Sequence, residues 1–269
     1  MEFGLIIVGD EILSGKRADK HLSQVISLLS ERGLGLSWVR YVGDDPRRLT
    51  QDLRDALAGP EAVFCCGGIG ATPDDHTRQC AADALGVPLA LHPEARALIT
   101  ERMQSMAAEK GEVFDPDRAD NLQRLKMGCF PVGAQIIANP YNKIPGFSVK
   151  APSGTEVFFV PGFPVMAWPM IEAVLDARFA HAHGSLDRGE RSVIVFSTME
   201  SLLTPLMEAL EARFEGIKVF SLPSEDHPQW GKHIELGVKG PAAVLEEAYA
   251  ALRAGLTTLG AATGPEMVR

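Results

Sequence analysis

No stretch of this 269-residue chain is apolar for long enough to cross a bilayer; a helical span needs about 20 such residues. The first residues, MEFGLIIVGDE, hold an apolar run. That run is short, has no basic start and leads straight into Gly-Asp-Glu, so it reads as a first strand and not as a secretory leader. A cytoplasmic location is the resulting expectation. Positive charge is scarce too: 26 Lys and Arg stand against 35 Asp and Glu, a formal net charge of -9. That balance opposes nucleic acid and anionic membrane surfaces, so neither is expected as a partner. The four cysteines, Cys65, Cys66, Cys80 and Cys129, form no CxxC pair, which argues against zinc-ribbon and thioredoxin chemistry. Reduced, packed thiols are expected, with Cys65 and Cys66 facing opposite sides of one strand. Internal repeats and low-complexity segments are absent.

What is present is alternation. FGLIIV is a continuous apolar run, as in a strand buried on both faces. ADKHLSQVISLLSERG follows with Leu22, Val25, Ile26 and Leu29 at helical spacing and a stop at Gly33. LSWVRYV, PRRLTQDLRDALAG, AVFCC and HTRQCAADALG continue as strand, helix, strand, helix. Repeated strand–helix units imply a parallel sheet with right-handed crossovers. PEARALITERMQSMAAEKG reads as a longer helix and DNLQRLK as a short one. AQIIANP reads as a strand, GFSVKAPSGTEVFFVPG as two strands around a turn, and FPVMAWPMIEAVLDARFA as a helix with Pro169 near a kink. The polar segment HAHGSLDRGER marks a boundary. The expected domains are therefore 1–180, an α/β unit of three layers (α/β/α) around a mostly parallel sheet, and 190–260, a small α+β unit. The closing ATGPEMVR reads as a frayed tail.

The chemistry concentrates in FCCGGIGATPDDHT. Gly67, Gly68 and Gly70 let the backbone turn tightly between a strand end and a helix start, where open parallel sheets bind ligands and free N–H groups attract phosphate. Asp74 and Asp75 follow at once, although carboxylates repel phosphate. A hard divalent cation, magnesium above all, reconciles the two, because it binds carboxylate and phosphate oxygens together. A plainer alternative stands beside this one. Thr72 as N-cap, Pro73 at the first helical position and Asp75 three residues on approximate a capping box. Two more loops follow strands: VGDEILSG, with Asp10 and Glu11, and VPGFP, with Pro161 and Gly162. Parallel strands would bring these to one sheet edge. GDEILSGKR misses the P-loop spacing, and GGIGATP lacks the third glycine of a dinucleotide fingerprint. GVKG, Gly237 to Gly240, matches the GXXG loop of RNA-binding KH domains only superficially, since it joins a strand to a helix. Among the histidines only His76, beside the aspartates, has a suggestive place.

GDEILSG, VGDD, GGIGATPDDHT, FPVGAQIIANP…PG and VPGFP stand in the order seen in the MoaB/Mog molybdopterin-binding superfamily. The chain most resembles the N-terminal module of CinA, competence/damage-inducible protein A, and the similar part of eukaryotic FAD synthase, over residues 1 to about 175. The C-terminal segment resembles, by pattern and position, the KH-like domain of CinA-type proteins. The resemblance implies a three-layer α/β fold with a pocket for a phosphate-bearing pterin or nucleotide. In one branch the module adenylylates molybdopterin with magnesium and ATP; in the CinA branch it is associated with metal-dependent cleavage of ADP-ribose. Carried over, Asp75 is the essential aspartate, with Asp74 and Thr77 beside it. Gly67, Gly68 and Gly70, with Thr72, form the phosphate loop, Asp10 and Glu11 the first acidic turn, and Pro161 and Gly162 the second loop. Asp10, Glu11, Asp74 and Asp75 are thus the expected metal ligands, with Glu11 or His76 as candidate general bases. Three departures stand out: His21 where Asn is usual, Ala71 where proline is usual, and NPYNKIPG for NPxGTAPG. Lys143 in that last loop is a candidate phosphate contact. The amidohydrolase domain of full-length CinA has no counterpart here, so nicotinamide-nucleotide deamidation is not expected. A homo-oligomer is.

Overall fold

The computed structural model describes residues 1–184 and 188–268, with Arg188 by its backbone alone. The expected boundary segment thus lies partly outside the described residues, as does the final residue of the tail. The chain divides into two compact units, Met1–Leu186 and Asp187–Arg269.

In the first unit the elements run β1 (Glu2–Val8), α1 (Asp10–Leu13), α2 (His21–Ser30), β2 (Gly35–Val42), α3 (Pro46–Ala58), β3 (Ala62–Cys66) and α4 (Thr77–Leu85). They continue as β4 (Leu89–Leu91), α5 (Pro93–Glu109), α6 (Ala119–Leu125), β5 (Cys129–Pro131), β6 (Gln135–Ile137), β7 (Gly146–Lys150), β8 (Glu156–Val160) and α7 (Pro164–Arg178). The main sheet has the order β2-β1-β3-β8-β7-β6. Its first three pairings are parallel, and β7 is antiparallel to both neighbours. β1 is buried at every position from Phe3 to Val8, which its unbroken apolar run requires of an interior parallel strand. Alternate side chains serve opposite layers. Phe3, Leu5, Ile7 and Cys66 pack with α2 and α7, while Ile6, Val8 and Cys65 pack with α3 and α4. The three-layer expectation holds, and the cysteine pair splits between the two cores. α3 shows how locally the sequence specifies an element. Asp45 caps it by accepting from the Arg47 N–H at 2.9 Å, Pro46 opens it, and Leu49, Leu53 and Leu57 line its buried face. α7 runs through Pro169.

Two features carry no signal in the sequence pattern. α1 is a single turn, and β4 and β5 form a separate antiparallel pair of three-residue strands. Elements that short give periodicity nothing to register.

The second unit runs β9 (Arg188–Phe196), α8 (Glu200–Arg213), β10 (Lys218–His227), β11 (Gly231–Pro241), α9 (Ala242–Thr258) and β12 (Ala262–Val268). Its sheet has the order β10-β11-β9-β12, antiparallel throughout. Leu203, Leu210, Leu236, Val238, Leu252 and Leu256 fill the core between helices and sheet. Two expectations change. The tail is not frayed: its described residues form β12, an edge strand on β9. Its mostly exposed residues lack apolar alternation, and Gly264 and Pro265 interrupt the register, as sheet edges tolerate. Nor does Gly237–Gly240 join a strand to a helix: it lies inside β11, in a unit whose strand–helix–strand–strand–helix–strand order is the small α+β arrangement expected. Among the described residues no helix is long and apolar enough to cross a membrane.

Candidate functional site

Register places the site. Val8 pairs with Val42, Ile7 with Cys66, and Cys66 with Val160. The carboxyl ends of β1, β2, β3 and β8 therefore finish together, and the loops that follow surround a cavity of about 430 Å³. Gly9, Glu11 and Arg17 come from the first loop, Asp44 from the second, Gly67 to Thr72 with Asp74 and Asp75 from the third, and Pro161 to Phe163 from the fourth. Asn139, Asn142, Ile144 and Pro145, between β6 and β7, close one side with Met127 and Met166.

The glycine turn is held from below. The Gly67 N–H donates to the Val160 carbonyl at 3.0 Å, and the buried Thr77 hydroxyl donates to the Gly67 carbonyl at 2.9 Å. Gly68 sits at φ +68°, where a Cβ would lie 2.1 Å from Thr77 Oγ1. At Gly70 a Cβ would lie 2.6 Å from Asp75 Oδ2. Arg78, 5% exposed, donates to the Gly70 carbonyl at 2.6 Å and to the Lys126 carbonyl. Burial lowers the pKa of this guanidinium, while Asp75 opposes that shift. The N–H groups of Gly68, Ile69, Gly70 and Ala71 have no acceptor among the described residues. Successive unpartnered N–H groups on a turn make an anion site.

TPDD is not the helix start. Asp75 does accept from the Thr72 N–H at 2.8 Å and from its hydroxyl. That bond closes a turn ahead of α4, which begins at Thr77. The local geometry of a capping box is present, but the chain needs four more residues before it turns helical.

The opposite wall is acidic. The Asp10 and Asp44 carboxylates exchange bonds with one another's backbone: Asp44 accepts from the Asp10 N–H at 3.0 Å, and Asp10 from the Asp44 N–H at 3.1 Å. Burial holds the Asp44 carboxyl above the usual carboxylate range, and the charges of Asp10, Glu11 and Asp74 add to the effect against a bond from Asp10 that lowers it. The exposed Asp74 is held below that range, chiefly by the Thr72 hydroxyl, which it shares with Asp75, and by its own backbone N–H. Like charges gathered this way favour a cation between them. Among the described residues, however, no three carboxylate, imidazole or thiolate groups converge as an all-protein metal cage would require.

The expected residues therefore divide. Glu11, Gly67, Gly68, Gly70, Thr72, Asp74, Asp75, Pro161 and Gly162 line the cavity. Thr77 does not: its hydroxyl is committed to Gly67, so it shapes the loop instead of touching a ligand. Lys143 does not either: its ammonium pairs with Glu101 at 2.5 Å, on α5. Asp10 braces the Asp44 turn and is absent from the lining, and His76 stands at the N-cap of α4. Sequence reading missed Arg17, Asp44, Asn139, Asn142, Phe163 and the buried Arg78. Asp44 had a signal, since VGDD follows a strand as VGDE does. The others depend on loops whose course the sequence does not reveal.

Fold and site together define an α/β ligand-binding domain with a phosphate-type turn at the carboxyl edge of its sheet. Residues 4–181 match the family described as probable molybdopterin binding domain, and the chain belongs to that family. It is 30% identical to Protein PH0439 of Pyrococcus horikoshii over 231 residues, covering 86% of both chains. A CinA-like protein of Anaeromyxobacter sp. (strain Fw109-5) is 29% identical over 244 residues, 89% of this chain and 55% of that one. The chain thus spans about half the length of that CinA-like relative. The solved structure of CinA from Thermoplasma acidophilum has a TM-score of 0.54 at 27% identity, covering 65% of this chain and 96% of that chain.

Proposed function

We propose that the protein binds a nucleotide or pterin by its phosphate and, with a divalent cation, cleaves a diphosphate bond of the ADP-ribose type. The observation that carries this reading is the row of unpartnered N–H groups from Gly68 to Ala71, set in one cavity with Glu11, Asp44, Asp74 and Asp75. The N–H groups suit a phosphate, whereas the carboxylates suit it only with a cation between. Magnesium fits such a wall. It is commonly held by one or two carboxylates together with substrate phosphates, and keeps several waters, so it needs no cage of three protein groups. Asp74 and Asp75 are the pair suited to hold it, with Glu11 nearby. Bound there, the cation would offset charge on the phosphoryl oxygens.

The chain's own residues have separable parts. The Gly68–Ala71 backbone orients the phosphate, and Arg78 steadies that backbone through the Gly70 carbonyl. Phe163 and Met166 offer an apolar wall for a flat base or pterin ring. Asp44, held against the Asp10 backbone, adds a further carboxylate to the cavity wall.

The test is AMP release from ADP-ribose, FAD and NAD, with magnesium or cobalt. Asp75→Ala alone would be ambiguous, because Asp75 also closes the Thr72 turn. Asp74→Ala, at an exposed position, separates chemistry from folding. AMP from wild type and none from either variant supports cleavage; no AMP from any substrate refutes it. A second reading, a pterin- or nucleotide-binding module without catalysis, is favoured by Ala71 and the altered 142–144 loop and predicts tight binding with no AMP. The proposed homo-oligomer is tested by light scattering of the eluting species.

A further inference from the structure

Two consecutive residues at the start of α4 set the direction of the glycine turn. The Gly67 carbonyl accepts from the Thr77 hydroxyl at 2.9 Å and the Gly68 carbonyl from the Thr77 N–H at 3.0 Å. The Gly70 carbonyl accepts from the Arg78 guanidinium at 2.6 Å. In a trans peptide the carbonyl and the N–H that follows it point opposite ways. With these three carbonyls drawn towards α4, the N–H groups of Gly68, Ile69 and Ala71 point away from it. All three lack an acceptor among the described residues.

Arg78 brings a charge as well as a hydrogen bond. Its second bond goes to the Lys126 carbonyl, next to Met127 on the cavity wall. Both acceptors are neutral, and among the described residues the guanidinium makes no ion pair. The charge of Asp75 reaches it, but that carboxylate is engaged by the Thr72 N–H and hydroxyl. Arg78 is 5% exposed, and its Nε is buried without a partner. Buried cations are normally paired, because taking a charge out of water is costly. A positive charge therefore stands one peptide unit behind the turn. The cavity in front of it is lined by four carboxylates and, at its other side, Arg17.

We infer that Arg78 is a positioning residue for the anion: it aims the Ala71 N–H outwards, and its buried guanidinium takes the bound phosphate as its missing counter-charge across the Gly70–Ala71 peptide. This rests on the proposed phosphate site. It adds how a cavity walled by carboxylates attracts an anion before any cation is bound.

The experiment is calorimetric titration of the full chain with ADP, in magnesium and in EDTA. Two variants separate charge from hydrogen bonding. Arg78→Lys keeps the charge but has no fork to bridge both carbonyls; Arg78→Gln keeps a donor and has no charge. A unit charge one peptide away, at an effective permittivity of about 20, changes affinity by roughly tenfold or more. Arg78→Gln is expected to lose that much, and Arg78→Lys to stay within about threefold of wild type. Wild type is expected to keep measurable ADP binding in EDTA. Wild-type affinity in Arg78→Gln overturns the inference, as does an equal loss in both variants with unchanged melting curves. Binding by wild type in magnesium that vanishes in EDTA overturns it too, whether or not the variants fold. If wild type fails to bind ADP even with magnesium, the phosphate site itself is refuted.

Discussion

Replacing Gly68 by alanine tests the packing beneath the phosphate turn. At φ +68° an L-residue costs about 1–2 kcal/mol relative to glycine. The added methyl would also sit 2.1 Å from Thr77 Oγ1, so that hydroxyl must leave the Gly67 carbonyl. A buried bond lost this way costs about 1–3 kcal/mol. The sum is roughly 2–5 kcal/mol, or on the order of 10 °C in melting temperature for a unit of this size. The two units need not unfold together, so the signal must belong to the first. Of the three tryptophans, Trp38 and Trp168 lie in it and Trp230 in the second. In a Trp230→Phe background, fluorescence in urea therefore follows the first unit. A double-mutant cycle sharpens the result. With Thr77→Ala the hydroxyl is already gone, and Gly68→Ala should then cost only its backbone share of about 1–2 kcal/mol. A penalty for Gly68→Ala below about 1 kcal/mol, or one that is the same in both backgrounds, would refute the coupling drawn between turn and hydroxyl.

Asp44→Asn is expected to raise the melting temperature at neutral pH. The folded Asp44 carboxyl has the higher pKa, so wild-type stability falls as pH climbs through the window above the ordinary value of about 4. The variant's advantage should vanish when melts are repeated below that window, and an advantage at every pH would contradict the assignment. The same substitution should weaken stabilisation by magnesium plus ADP. Lys143→Ala should leave ADP affinity within experimental error, because its ammonium is engaged by Glu101 and not by the cavity; a several-fold loss in titration would restore the discarded role. Truncation before Ala262 should destabilise the second unit, read through Trp230, by stripping β12 from β9. An unchanged transition would mean that the edge strand contributes nothing.

Much of this protein was legible because its signals are local and repeated. The apolar run of β1, the Asp45–Pro46 start of α3 and the glycine turn after β3 each declare themselves within a few residues. β12 did not, since an exposed edge strand holding Gly264 and Pro265 lacks apolar alternation. Lys143 and Thr77 were misplaced for a related reason. Residue type marks a group as able to bind phosphate, but only packing decides whether it points at a ligand, a neighbouring carboxylate or a backbone carbonyl.

By itself, the sequence determined the order of the longer elements of the first unit, its three layers and the glycine–aspartate turn, because hydrophobic period and turn chemistry act over short stretches of chain. Tertiary structure alone decided which loops share a cavity, that Asp44 joins Asp74 and Glu11 across it, and that the His21 ring is buried with its Nε2 against the Gly162 carbonyl. Those facts depend on strand order and register, β1 lying between β2 and β3 with β8 beside β3. Register joins residues more than a hundred positions apart, a distance over which no local pattern speaks.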